Sequence, residues 1–187
     1  MKKKIYLKLS KDRAKAEGQA LSKEELFDRA YEEWDEGHHS KAFELFMTAA
    51  KAGDHRALNS IGYFLSHGIG VGKNSDAAMR WYKKAAKQGD RAGIANVGLT
   101  YRERGDVRKA RYWLRRAYSR DDGDSALDLA KSYLEQPSRR NELIAYRLLQ
   151  EAISATYVSD DAIETATKML NGIQPPRGDP SKALDQS

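Results

Sequence analysis

The sequence predicts an all-α chain, a right-handed α-α superhelical solenoid of helix-hairpin repeats with a C-terminal capping helix. Three observations carry this expectation. A segment returns: AAKAGDHRALNSIG, from Ala49 to Gly62, recurs as AAKQGDRAGIANVG, from Ala85 to Gly98. An apolar triplet at i, i+4 and i+7 recurs with it, as Ala42/Phe46/Ala49, Ala78/Tyr82/Ala85, Ala110/Leu114/Ala117 and Ala145/Leu149/Ala152. The composition suits helix throughout, with 4 prolines in 187 residues.

Residues 1–20 form a charged N-terminal arm, in which Ile5, Tyr6, Leu7 and Leu9 leave a short strand and a docked segment both open. Residues 21–157 form the repeat array, about four hairpins of which the first, opening at Leu26 to Ala30, is the most diverged. The triplet positions share one helical face. Alanine at both ends of a triplet lets the neighbouring helix approach, and the central Phe, Tyr or Leu fills the gap. Gly62 and Gly98 do the same on the first helix of their units; glycine costs about 1 kcal/mol in a helix interior, so close packing must offset it. A third copy begins at Asp121, with Ala126-Leu127-Asp128-Leu129-Ala130 standing where Ile94 to Gly98 stood. One hairpin cannot bury its apolar face alone, and stacking hairpins builds a continuous core. Residues 158–173 hold the capping helix, Asp160 to Ile173, with Ala162, Ile163, Ala166, Met169, Leu170 and Ile173 as its apolar stripe. Asp161 and Glu164 suit its first turn, where carboxylates complement the helix dipole. Residues 174–187, with Pro175, Pro176, Gly178 and Pro180, are predicted to be a disordered tail.

Composition removes several function classes. The chain has no cysteine, which excludes disulfides, thiolate metal sites and cysteine nucleophiles. After Lys2-Lys3-Lys4 the apolar stretch is Ile5, Tyr6 and Leu7 before Lys8, far short of the roughly 7–15 residues of a secretory signal. No window approaches the ~18 apolar residues of a membrane span. The expectation is a cytoplasmic protein without membrane association. Its net charge of +6 prefers acidic partners.

The second repeat carries a family resemblance through Ile61-Gly62, the Gly68-Ile69-Gly70-Val71 loop, Ala77-Ala78, Trp81-Tyr82, Ala85-Ala86 and Gly89-Asp90. It resembles a Sel-one-like repeat, a relative of the tetratricopeptide repeat. The third unit lacks the glycine-rich loop and resembles a plain tetratricopeptide unit through Gly98, Tyr101, Gly105, Ala110 and Ala117. Units one and four match more weakly, and the resemblance runs from about Leu26 to Ala155. It implies a groove lined by the first helix of each unit. At the matching positions that groove presents Phe27, Tyr31 and Trp34, then Arg56, Asn59, Tyr63 and His67. Leu99, Arg102 and Glu103 follow, then Lys131 and Glu135. Exposed aromatics beside arginines are what interface hot spots contain. The competing reading packs Phe27, Tyr31 and Trp34 against the N-terminal arm.

A second candidate surface is the basic run from Arg102 to Arg120. Arg108, Arg111 and Arg115 share one helical face, while Lys109, Arg116 and Arg120 lie on another. Such a face grips acidic side chains or phosphates, or is simply solvated. Tyr112 and Trp113 are expected in the core, which leaves the run without the exposed aromatics of a single-strand binder. GIGVGK at Gly68 to Lys73 lacks the lysine-serine/threonine ending of a phosphate loop and no strand precedes it. The histidines, at 38, 39, 55 and 67, form no nucleophile–base or ligand spacing. No catalytic residue, metal or cofactor is expected. The leading reading is a non-enzymatic protein-interaction module (adaptor, regulator or inhibitor of the immunity type) for a protein or peptide of acidic character. The alternative is a nucleic-acid-binding helical array.

The repeat register has a direct test. Tyr82→Ala should lower stability by about 3–5 kcal/mol, as truncation of a buried ring does, in a denaturant titration; unchanged unfolding would show that the triplets are misaligned.

Overall fold

The computed structural model describes residues 21–119 and 121–173, and those residues are all-α. The expected arm at 1–20, the tail at 174–187 and Arg120 lie outside them. Nine helices run through the described residues: α1 Lys23–Asp35, α2 His39–Lys51, α3 Arg56–His67, α4 Ser75–Lys87, α5 Arg91–Glu103, α6 Val107–Ala117, α7 Gly123–Leu134, α8 Arg139–Ser154 and α9 Asp160–Gly172.

Short polar side chains start most of these helices. Ser22 caps α1 in a reciprocal box with Glu25. The Asn74 side chain accepts from the Ala77 amide at the start of α4, and Asp90, Asp106, Asp122, Ser138 and Ser159 do the same for α5 to α9. Each such cap satisfies an amide that the helix itself leaves orphaned, for about 1 kcal/mol. Ser159, rather than the expected carboxylates alone, anchors α9; Asp160 and Asp161 occupy its first turn, while Glu164 pairs with Lys168 one turn on.

The chain divides into two compact units, Met1–Trp81 and Tyr82–Ser187, with the division inside α4. In the first unit α1 and α2 form a hairpin and α3 packs on α2. Its core is aromatic: the buried Phe46 ring lies 5.7 Å from Phe27, 5.2 Å from Tyr31 and 5.5 Å from Phe64, each edge-on. The glycine-rich loop after α3 closes onto the start of α2, where the Ser40 hydroxyl donates to the Gly70 carbonyl at 2.9 Å.

In the second unit α5 pairs with α6, α7 with α8, α6 packs on α7, and α9 packs on both α7 and α8. Leu114, Leu127, Leu129, Ile144, Leu148 and Leu149 form its core with the alanines between them, and Met169 and Leu170 of α9, with Ile173 just past its end, pack against that cluster. Every residue of the four repeated triplets is buried, Tyr82 among them at 3% exposure. The expected close approach at Gly98 is present, since a Cβ there would lie 2.8 Å from Leu114 Cγ.

Two glycines of one loop give a paired test. Gly70 has φ +62° and a Cβ on it would lie 2.4 Å from the His39 carbonyl carbon, whereas Gly72 has open space. Gly70→Ala should cost more than about 2 kcal/mol and Gly72→Ala less than about 0.5 kcal/mol by thermal unfolding. Equal effects would mean the loop does not seat against α2.

Candidate functional site

In the first unit the aromatic residues singled out from the sequence are brought together, but largely by each other. Phe27 and Tyr31 lie 5.0 Å apart, Tyr31 and Trp34 5.6 Å, and Trp34 and Tyr63 5.7 Å. The Arg56 guanidinium sits 4.1 Å above the Phe27 ring and makes a two-pronged contact with the Asp54 carboxylate, its Nη2 at 2.6 Å from Oδ2. His67 stacks on Tyr63 at 4.1 Å. Tyr31 remains 39% exposed and Asn59 is half-buried, so α1 and α3 present a partly open aromatic surface. Its relation to the arm lies outside the described residues.

Beside it Glu33 is buried, with Arg29 Nε and Lys41 Nζ each 2.9 Å from its Oε1 and His38 Nδ1 3.0 Å from Oε2. The hydrogen bond from Lys41, opposed by burial and reinforced by Arg29 and His38, holds this carboxyl at about 2, below its ordinary 4.5. Glu33, Glu36 and His38 bring three potential ligand atoms within 4.8 Å. Two cations already neutralise the central carboxylate, so this cluster is an electrostatic tie between α1 and α2 rather than a cation site.

In the second unit the groove positions divide. Leu99 packs against the core, Glu103 is exposed and Lys131 half-buried. Arg102 is committed internally, 3.6 Å from Asp128 and 3.5 Å from Glu135. Burial pushes the Asp128 carboxyl up in spite of Arg102 beside it.

The basic run behaves differently. Arg108, Arg111, Arg115 and Arg116 of α6 line a pocket of about 600 Å³ with Tyr112, Tyr133 of α7, and Arg140, Asn141 and Ile144 of α8; no Asp or Glu lines it. Arg111 lies 4.7 Å over the Tyr133 ring and donates from Nε to the Ser132 carbonyl at 3.1 Å. Arg115 donates from both Nε and Nη2 to the Tyr133 hydroxyl. These bonds pin two guanidiniums to α7 without supplying any negative charge. Among the described residues Arg108 and Arg140 make no hydrogen bond or ion pair.

Two expectations are corrected here. Arg116, placed on a separate face by helical spacing, shares the pocket with Arg108, Arg111 and Arg115. Tyr112, expected in the core, is 57% exposed, with the Arg116 guanidinium 5.7 Å over its ring. The buried face of α6 is Ala110, Leu114 and Ala117. Two residues beyond Ala110 is about 200° around a helix, the far side. Trp113, one residue closer to that face, is half-buried.

The Sel1 repeat family matches residues 39–54, 55–90, 95–122 and 123–157, together more than half of the chain. The chain belongs to the Sel1 repeat family. It is 40% identical to the chitin synthase regulator SKT5 of Saccharomyces cerevisiae over 55 residues, 29% of this chain and 8% of that protein. Among solved structures it resembles a Sel1 repeat protein from Oxalobacter formigenes (TM-score 0.57, 26% identity, 77% of this chain and 59% of that one). It also resembles a protective antigen of uropathogenic Escherichia coli with an SLR fold (TM-score 0.60, 21% identity, 72% of this chain and 30% of that one). The chain thus spans a small part of the curated relative and less than two thirds of either structure. The likenesses fix the fold as the helix-hairpin solenoid of Sel1 repeats. Of the first hairpin only α2 falls within a Sel1 match, in keeping with its divergence.

In Sel1 terms the pocket lies between consecutive repeats: 95–122 supplies the four arginines of α6, and 123–157 supplies Tyr133, Arg140 and Asn141. The sequence reading missed the last three. One signal was available: Arg139 and Arg140 stand in the first turn of α8, where the helix dipole disfavours cations.

Glu33 gives a pH prediction. Its pKa is lowered on folding, so its stabilisation is complete above pH 4.5 and is lost as pH falls toward about 2. Acid unfolding should steepen in that window, and Glu33→Gln should lower stability at neutral pH and flatten that part of the profile. An unchanged acid limb in the variant would remove Glu33 from the balance.

Proposed function

We propose that this protein is a non-catalytic binding module whose partner is another protein carrying acidic groups, and that the arginine pocket of α6, α7 and α8 is where it is gripped. The observation that carries this reading is five guanidiniums around one concavity that no carboxylate lines. A buried or clustered charge is ordinarily paired within the fold, as Glu33 is; a set left without counter-charge waits for it from outside. Sel1 repeats generally serve as protein-interaction scaffolds, and the matched yeast protein is named as a regulator. Adaptor, regulator and immunity-type inhibitor are versions of this one role, in a cytoplasmic setting. Among the described residues no helix is long and apolar enough to cross a membrane. The aromatic surface of α1 and α3, around Tyr31 and Trp34, is the candidate contact region of the first unit.

The exposed Tyr112 ring beside Arg116 favours one other reading, single-stranded nucleic acid stacked on the ring. Affinity capture from the native source, comparing wild type with Arg108→Glu/Arg111→Glu/Arg115→Glu and with Tyr31→Ala/Trp34→Ala, separates these. One stoichiometric protein, lost by at least about tenfold in the charge reversal and rebinding when purified, is the expected result. Retention in the charge reversal with loss in the aromatic variant would move the site to the first unit. Recovery of nucleic acid, released steeply by salt, would replace the protein reading.

A further inference from the structure

The convergence of the arginines says more than that the partner is acidic. We infer that the pocket receives a phosphorylated side chain of the partner, a phosphate monoester on a peptide; this rests on the binding role proposed above.

Charge density and donor geometry distinguish a phosphate from a carboxylate. A carboxylate brings one charge and two oxygens, which one or two guanidiniums saturate. A phosphate monoester brings about −1.5 to −2 charges and three strong acceptor oxygens. Arg108, Arg111, Arg115 and Arg116 of α6 and Arg140 of α8 line one open pocket of about 600 Å³, which offers donors from two helices to a multiply charged group. Nucleic acid would instead want its cations spread along a strand, one per singly charged diester.

The internal bonding points the same way. Tyr133 is 4% exposed, and its hydroxyl accepts from both Nε and Nη2 of Arg115. No acceptor among the described residues takes that hydroxyl's own proton, which leaves it to donate to an oxygen in the pocket. Three nearby acids are committed elsewhere, Asp106 to Lys109 at 2.6 Å, and Glu135 and Asp128 to Arg102. Arg140 stands in the first turn of α8, where the positive end of the helix dipole adds to its own charge. That placement works against the helix and favours a bound anion. Tyr112 and Ile144 provide apolar wall for residues flanking the phosphate.

Calorimetric titration of the full chain tests this with defined probes. These are acetyl-Gly-Gly-phosphoserine-Gly-Gly amide, its phosphotyrosine, glutamate and unmodified serine counterparts, inorganic phosphate, and a ten-nucleotide oligothymidylate. A phosphopeptide should bind at least about tenfold tighter than the glutamate peptide and than inorganic phosphate. Arg108→Gln/Arg140→Gln removes two guanidiniums with no internal bond, so it should weaken phosphopeptide binding at least about tenfold with unchanged thermal unfolding. Arg108→Lys/Arg140→Lys, which keeps charge and loses the planar fork, should fall between. Equal binding of the glutamate and phosphopeptides, lost together in the double Gln variant, would overturn the phosphate inference and leave the acidic-partner reading standing. Inorganic phosphate binding as tightly as the phosphopeptide would make the ligand a free anion, and preference for the oligonucleotide would overturn both readings. No binding by any phosphopeptide, or binding indifferent to the double Gln variant while it unfolds as wild type, would overturn the inference.

Discussion

Leu114 sits where a side chain on Gly98 would be, and that missing side chain is what lets α5 and α6 close on one another. The same device recurs at two further places in the second unit. A Cβ on Gly93 would lie 2.6 Å from that of Ala85, and one on Gly123 would lie 2.5 Å from the Ala152 carbonyl oxygen. Interiors packed to crystal-like density leave no room for a methyl group in such places. Close approach fixes the rotation of each helix about its axis. Once Ala110, Leu114 and Ala117 are turned inward, Arg108, Arg111, Tyr112, Arg115 and Arg116 have only the outer side of α6 to occupy. The pocket is thus a consequence of hairpin packing as much as of its own residues.

Charge is handled differently in the two units. In the first, the buried Glu33 carries Arg29, Lys41 and His38, and Arg56 answers Asp54 while resting on Phe27. Those groups hold helices together and are consumed in doing so. In the second, Arg91 meets Asp122, Lys109 meets Asp106, and Arg102 spans Asp128 and Glu135. These pairs commit those acids and leave the pocket arginines without an internal carboxylate. Arg111 and Arg115 are oriented by a carbonyl and a phenol, neutral acceptors that fix geometry and keep the charge available. Local rules broken without an internal gain are expected where a fold serves binding.

The helices and their buried faces were legible in the sequence because both depend on short-range periodicity. Ala42/Phe46/Ala49 and Ala145/Leu149/Ala152 read as inward-facing and are. Residue type misleads at Tyr112: an aromatic side chain suggests core, but its offset from Ala110 turns it outward. The pocket was half legible. Arg108, Arg111 and Arg115 share a helical face that spacing reveals, whereas Arg140 and Tyr133 join them only through the packing of α6 and α8 around α7. No periodicity encodes contacts between residues 18 or more positions apart, as Arg115 and Tyr133 are. Arg102 shows the opposite failure, a groove candidate absorbed by two carboxylates of a neighbouring helix.

Hydrogen–deuterium exchange on the captured complex locates the partner on the helices without altering a residue. A partner held in the arginine pocket slows exchange in α6 and in the first turn of α8, with α7 between them. Protection confined to α1 and α3, with α6 exchanging as in the free protein, would contradict that placement.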